Sequence, residues 1–264
     1  MSDILYRSEN GVAIISFNRP QALNAVTFDS LAQLSAAFDR AASEAEVKVI
    51  VLTGEGRGFC SGADLAQNMA NPPIDAEGQL DLGLPLEQYY NPLVLKMRAM
   101  PKPIIAAVNG MAAGAGASFA LMADLTIAAR SAYFLQAFVN IGLVPDAGGT
   151  WILPRSIGPQ RAMGLAMLGE KLPAEKAKDW GLIWDVVDDD ALMTTVSALA
   201  NRLASGPSAA LARIKQTLHA AHSNELAEQL VLERELQREC GRTNDFAEGT
   251  LAFAQKRKAN FTGN

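Results

Sequence analysis

The sequence is poor in the residues that usually carry redox, metal or triad chemistry. Cys60 and Cys240 are its only cysteines, and His219 and His222 its only histidines, in 264 residues. Two distant thiols do not form a disulfide framework. No cluster of His, Cys, Asp or Glu has the spacing of metal ligands. A Ser–His triad would have to bring one of two late histidines to a distant serine. Aromatic residues make up only 6% of the chain. No apolar run reaches the ~20 residues needed to cross a bilayer as a helix. Acids outnumber bases, 28 to 23, for a net charge of −5, so no overall field draws the chain to nucleic acid or an anionic membrane. Met1-Ser2-Asp3 has neither the basic start nor the apolar stretch of a secretory signal. The expectation is a cytoplasmic protein that uses no metal, no membrane and no nucleic acid.

Small and apolar residues are abundant. The apolar fraction is 49%, enough for a sizeable core, and the length suits one large domain or a domain with an appendage. The many alanines predict closely packed helices and buried subunit contacts. Ile4 to Arg7 and Val12 to Phe17 read as strands joined at Asn10-Gly11. Thr27 to Ala42 has helical spacing, with Phe28, Leu31, Leu34 and Phe38 on one face. Strands follow over Val47 to Thr53, Ile104 to Val108, Leu125 to Ala129 and Tyr133 to Ala137, with a helix over Ala115 to Met122. Met69 to Pro85, broken by Pro72-Pro73, Gly78, Gly83 and Pro85, predicts a mobile loop, either a lid or a plain surface insertion. Beyond Pro154 the pattern turns helical, over Gln160–Leu168, Ala174–Trp180, Ala191–Ala204, Pro207–Ala221, Asn224–Arg242 and Phe246–Lys256. One strand, Ile183 to Val187, interrupts it. A boundary near Gly206 divides residues 1–206 from a helical region, 207–264.

Two stretches stand out by their tiny side chains. One is Phe59-Cys60-Ser61-Gly62-Ala63-Asp64-Leu65 and the other runs from Asn109-Gly110 through Gly114-Ala115-Gly116 to Ala120. Each follows a strand and precedes a helix. Backbone without bulky side chains admits a ligand closely, and a strand-to-helix turn aims free N–H groups outward. Two such turns converging on one oxygen would stabilise negative charge there, as in making an enolate from a thioester. Asp146 is the only acid between Asp124 and Glu170 and has apolar or tiny neighbours. Burial would raise its pKa and suit it to proton transfer from carbon. Its local setting, Pro-Asp-x-Gly-Gly, favours a helix N-cap instead. Asp124 and Asp64 read as structural, Asp64 as a cap. Ser118 reads as a packing residue. Gly114-Ala115-Gly116 lacks the third glycine of a dinucleotide fingerprint. The basic run Lys256-Arg257-Lys258 reads, alone, as a solvated helix end.

Taken in order, several segments resemble the crotonase (enoyl-CoA hydratase/isomerase) superfamily over nearly the whole chain. They are Asn18-Arg19-Pro20 with Leu23-Asn24-Ala25, Gly58 to Leu65, Lys102-Pro103-Ile104 to Asn109-Gly110, Ala113-Gly114-Ala115-Gly116, and Lys256 to Phe261. The resemblance implies an α/β spiral of repeated ββα units with C-terminal helices that build a homotrimer or a dimer of trimers. It implies an acyl-CoA thioester as substrate, coenzyme A entering as part of it, with no further cofactor. The oxyanion hole would be the N–H groups of Ala63 and Ala115. CoA would lie along Ala22, Leu23, Ser61, Asp64 and Leu65, with Phe253 and Lys256, within one chain or across to a neighbouring subunit, closing on its adenine and phosphate end. Hydratases of this superfamily carry two glutamates, the second about twenty residues after the first; here the first falls on Ser118 and the second on Asp146. With one carboxylate missing, the resemblance implies an isomerase. Tyr89-Tyr90-Asn91-Pro92-Leu93-Val94, Gly142 to Trp151, and Trp180 to Val187 resemble a subgroup of isomerases of phenylacetate breakdown. The alternatives are a fatty-acid Δ3,Δ2-enoyl-CoA isomerase, a hydratase with a repositioned acid, and an acyl-CoA or RNA binding protein without catalysis.

Overall fold

The structure is a computed structural model that describes residues 2–264. Its centre is a six-stranded sheet of β1 (Ile4–Glu9), β2 (Val12–Phe17), β3 (Val49–Gly54), β5 (Ile104–Val108), β7 (Leu125–Ala129) and β10 (Asp185–Val187), in that spatial order. β1 and β2 form an antiparallel hairpin, and every later neighbour is parallel. Every residue of β3 and β5 is buried. That is why their sequences, VIVLTG and IIAAV, show no polar alternation: a parallel strand covered on both faces is nearly continuous apolar sequence, and the one polar side chain, Thr53, donates to Ala107 O at 2.9 Å.

A second sheet runs β4 (Gly58–Cys60), β6 (Met111–Ala113), β8 (Tyr133–Leu135), β9 (Lys171–Pro173). The strands pair off along the chain. β3 then β4, β5 then β6, and β7 then β8 each place one strand in the large sheet and the next in the small one. Repetition of this step winds the chain into a spiral, and the turn after each small-sheet strand points the same way. β4 and β6 therefore end side by side, and the two tiny-residue turns that follow them meet.

The helices are α1 (Phe28–Ser43), α2 (Leu65–Asn68), α3 (Gly83–Pro85), α4 (Asn91–Ala99), α5 (Ala115–Met122), α6 (Gly149–Leu168), α7 (Ala174–Asp179), α8 (Leu192–Ala204), α9 (Ser208–Ala220), α10 (Leu226–Cys240) and α11 (Asn244–Ala254). α1 starts with a reciprocal cap, Thr27 and Ser30 each bonding the other's backbone. α6 begins eleven residues earlier than the expected start at Gln160. It bends at Gly158 (φ 76°), just before Pro159, and the two halves read as separate elements in sequence. The three-residue strands β4, β6 and β9 and the helix α4 carry no pattern long enough to be read in advance.

Asp124, at the end of α5, is structural as expected. It receives Lys215 Nζ of α9 at 2.8 Å and the Ile104 N–H at 2.8 Å. Burial pushes its pKa up, but the His219 contact, the Lys215 charge and these hydrogen bonds outweigh it and hold the carboxyl below its usual range. Among the described residues, no helix is long and apolar enough to cross a membrane.

Candidate active site

The two turns meet through glycine. Gly62 (φ 94°) precedes Ala63, and Gly114 (φ 53°) precedes Ala115. A Cβ on Gly62 would lie 3.0 Å from the Ala113 carbonyl oxygen and 3.6 Å from the Ala115 nitrogen. Only glycine accepts both the dihedral and the contact. The Val26 N–H donates to Gly62 O and the Asp64 N–H to Val26 O, at 2.8 and 2.9 Å. Adjacent peptides in extended chain alternate direction, so the Ala63 N–H points away from this bridge. Ala115 opens α5, where an N–H has no partner inside its helix. Neither N–H enters the turn, loop and cap hydrogen bonds of the described residues. Two unengaged donors thus sit on neighbouring turns, one of them at a helix N-terminus with its positive dipole end.

A cavity of about 410 Å³ opens beside them, lined by Ala63, by Phe28 of α1, by Leu86 and Tyr90 ahead of α4, and by Leu143 to Gly148. Met69 and Leu82, near the ends of the expected lid segment, also line it. Between them that segment is tied by an Ile74–Leu80 bridge and by Asp75 Oδ1, which accepts from Glu77 and Gln79 N–H. Asp146 is the one acid among the lining residues, and no Lys, Arg or His joins it. Its Oδ1 is buried and unpartnered among the described residues. Burial pushes its pKa up to about 6. A carboxylate poised there is a far better base toward carbon than an ordinary aspartate.

The N-cap expectation for Asp146 is corrected. Gly148 (φ 79°) occupies the cap of α6, without any side-chain cap bond. It is the Asp146 carbonyl that holds the turn, accepting from Gly149 N–H at 2.8 Å and from Ser118 Oγ at 2.9 Å. Between them Ala147 is forced to φ 48° while 2% exposed. A non-glycine residue in that region stores strain that the surrounding bonds must hold. The carboxyl is thereby left free to face the cavity. Ser118 itself is fully buried, so it is a positioning residue, and both histidines lie at the far end of α5, beside Asp124 and Trp151. Ser118→Ala is expected to lower turnover roughly tenfold, the order expected for one lost hydrogen bond, with the unchanged pH midpoint of the rate showing that Asp146 still titrates normally.

The spacing argument for a second hydratase acid also needs correction. Twenty residues past Ser118 stands Phe138, not Asp146. The Phe138 ring lies 3.8 Å from the position of a Cβ on Gly114, so an apolar ring occupies the surroundings of that turn. Asp146 is an acid of the following loop, not a displaced copy of that glutamate.

The proposed CoA residues divide into two groups. Ala22, Leu23, Ser61, Asp64 and Leu65 are gathered along one rim: Leu23 O accepts from Ser61 N–H at 3.0 Å, and Ser61 Oγ donates to Ala22 O at 3.4 Å. Leu65 is half exposed. Asp64 has both oxygens engaged, Oδ2 by Arg19 at 2.8 Å and Oδ1 by the Gln67 N–H that it caps. Burial raises its pKa, and these bonds and the Arg19 charge more than reverse that. Its side chain clamps the loop. Phe253 and Lys256 are not brought to this cavity within one chain. Phe253 is 86% exposed and lines a separate cavity of about 700 Å³ between α9, α10 and α11. Tyr90, in the cavity wall, was missed as a chemical group; a hydroxyl-bearing aromatic ahead of a helix-starting Asn-Pro was its only sequence signal.

Residues 7–264 match the enoyl-CoA hydratase/isomerase family. The chain is 48% identical to the 1,2-epoxyphenylacetyl-CoA isomerase of Escherichia coli K12, over 100% of this chain and 99% of that one. It is 50% identical to a Rhodobacter capsulatus protein named "Probable enoyl-CoA hydratase", over 98% of each. Its fold superposes on the crystal structure of an enoyl-CoA hydratase from Bacillus anthracis with a TM-score of 0.92 at 30% identity, covering 99% of this chain and 100% of that one. With the spiral of two sheets and the paired small-residue turns, these matches establish that the chain belongs to the enoyl-CoA hydratase/isomerase family.

Proposed function

We infer that this chain is an acyl-CoA isomerase whose thioester oxygen binds the Ala63 and Ala115 N–H groups while Asp146 moves a proton on the acyl carbons. The observation that carries this reading is the carboxyl of half-buried Asp146, its Oδ1 buried and unpaired, as the sole acid in a cavity that no Lys, Arg or His lines. Removing a proton at the α or γ carbon places charge on the thioester oxygen, where two fixed donors lower its energy. The same carboxyl returns the proton at the other end of the shared enolate. Water addition needs one group to orient the water and a second to handle the α-proton, and no second acid lines the cavity.

The substrate supported best is 1,2-epoxyphenylacetyl-CoA, converted to oxepin-CoA, together with shifts of a 3,4- to a 2,3-double bond. The name of the E. coli relative and the Tyr89–Val94, Gly142–Trp151 and Trp180–Val187 segments favour it. CoA would run along the Ala22–Leu65 rim. A homotrimer or dimer of trimers suits the C-terminal helices, which expose Leu226, Leu230, Phe246, Leu251 and Phe253. Turnover across the epoxide, a linear 3-enoyl-CoA and crotonyl-CoA tests the proposal. Isomerisation of the first two should exceed hydration of the third by about 10² or more, the contribution of a positioned acid–base group. Hydration as fast as isomerisation would overturn it.

A further inference from the structure

Leu86–Tyr90 is wound as a π-helical turn ahead of α4. Such widened turns re-aim the side chains around them and recur at functional sites. This one delivers Tyr90, 4% exposed, to the cavity wall. Its ring stacks on Phe119 of α5, with centroids 6.1 Å apart and planes 10° from parallel. One face of the ring is therefore fixed by the same helix that begins with Ala115.

The Tyr90 hydroxyl feels two groups, the Asp146 carboxyl and the Cys60 thiol. Cys60 Sγ lies 2.7 Å from the position of a Cβ on Gly116, beside the start of α5. Tyr90, Ala63 and Asp146 line one cavity. Burial, then Asp146, then Cys60 push the pKa of the phenol up, so it stays a neutral donor. No hydrogen bond of the described residues engages it, and it is not among their fully buried unpaired atoms, so it stays open to the cavity that Tyr90 lines. A phenol hydroxyl open to a cavity, with no partner in the protein, is a donor available to a ligand oxygen. The other polar side chains of the cavity do not compete for its role. Asn68 donates its amide to Val26 O at 3.3 Å, and Asn91 and Thr150 are exposed.

We propose that Tyr90 Oη donates a hydrogen bond to an oxygen carried on the acyl group, separate from the thioester oxygen, and so selects acyl groups with an oxygenated ring over plain linear ones. The assignment rests on the isomerase reading above. The hydrogen stays on the phenol throughout, and no covalent bond forms or breaks at this residue. Asp146 supplies proton movement at carbon; Tyr90 supplies recognition and charge stabilisation at the second oxygen.

Tyr90→Phe removes the oxygen and keeps the ring on Phe119. On 1,2-epoxyphenylacetyl-CoA, kcat/KM should fall about 10- to 100-fold, as when a site built for a hydrogen bond loses it. On a linear 3-enoyl-CoA it should stay within about threefold, the range of an incidental packing change. Binding of two unreactive probes gives a second readout. By titration calorimetry the wild-type chain should hold 2-hydroxyphenylacetyl-CoA about tenfold tighter than phenylacetyl-CoA, one hydrogen bond's worth, and the variant should lose that preference. Equal losses on both substrates, no loss on either, or a probe preference that survives the substitution would each overturn the role of Tyr90. Wild-type protein that isomerises neither substrate would overturn the isomerase reading instead, and the probe preference would still decide on Tyr90.

Discussion

Asp146→Asn is expected to lower isomerase kcat by about 10³-fold or more, toward the upper part of the range for a positioned acid–base group, and to make the folded chain more stable. Both effects follow from one fact, the burial of an unpaired carboxyl with its pKa at about 6. Asparagine keeps the shape but carries no transferable proton in the working pH range. On the proposed reading acyl-CoA affinity rests on the CoA rim and the two N–H donors, so it should stay within about threefold, because the lost interaction belongs to the transition state. The stability gain has a definite sign. The folded-state pKa lies above the unfolded value near ~3.9, so the folded chain binds this proton more tightly. The carboxyl costs nothing below that unfolded value. Its penalty grows as pH rises to about 6 and is constant beyond. Two pH units correspond to about 3 kcal/mol, which partial exposure reduces to about 2. Thermal unfolding at pH 7.5 should therefore shift up by several degrees in the variant, on the order of 2–4 °C per kcal/mol, and the difference should vanish near pH 4. In the wild type, kcat/KM should rise with pH through about 6 to a plateau, because the ionised form takes the first proton. A flat profile between pH 5 and 8, or a variant within tenfold of the wild type, removes Asp146 from the mechanism.

Some of this site is written in local sequence and some is not. The hairpin, the apolar-rich strands β3 and β5, and the capped α1 rest on periodicity and turn residues that act over a few positions, and they fold where the pattern puts them. The tiny-residue turns are legible for the same reason: only glycine suits their dihedrals and contacts. Asp146 is different. Pro-Asp-x-Gly-Gly obeys the grammar of an N-cap, yet Gly148 takes that place and the Asp146 carbonyl makes the bonds. The Ser118 hydroxyl, 28 positions earlier on another element, donates to the Asp146 carbonyl and helps hold this turn, and no local rule contains that partner. The three-residue strands β4 and β6 also exist only because β3 and β5 carry them into register, so the meeting of their turns is a property of the spiral. Tyr90 depends on a π turn and on a ring of α5, which again are tertiary facts. Resemblance to a known family supplied the order of the segments; spacing alone would have put the second acid on Phe138.

The proposed oxyanion site makes its sharpest demand at Gly116. Its Cβ, if present, would lie 2.3 Å from the Cys60 carbonyl oxygen and 2.7 Å from both Cys60 Cβ and Sγ. The nearest of these atoms is backbone of β4, which cannot rotate away, so α5 and β4 must part. α5 begins with Ala115 and β4 runs directly into Gly62-Ala63, so the separation falls between the two donors. Gly116→Ala is therefore expected to lower kcat about 10²- to 10³-fold, the cost of one misplaced donor, and to destabilise the fold by about 2 kcal/mol, within the range for overpacking a core. The pH midpoint near 6 should persist, because burial raises the Asp146 pKa and the residues lining its cavity lie outside α5 and β4. Gly164→Ala is the matched control: its Cβ meets nothing within 4 Å and it lies within α6, so it should be neutral or slightly stabilising by about 0.5–1 kcal/mol. If Gly116→Ala loses stability but keeps turnover within threefold in its folded fraction, the start of α5 is not where negative charge develops. The reaction would then need another electrophilic group. If turnover collapses while the fold, the Asp146 titration and substrate binding are retained, the damage lies where charge builds up on the thioester oxygen, between two peptide N–H groups held in place by the absence of one methyl.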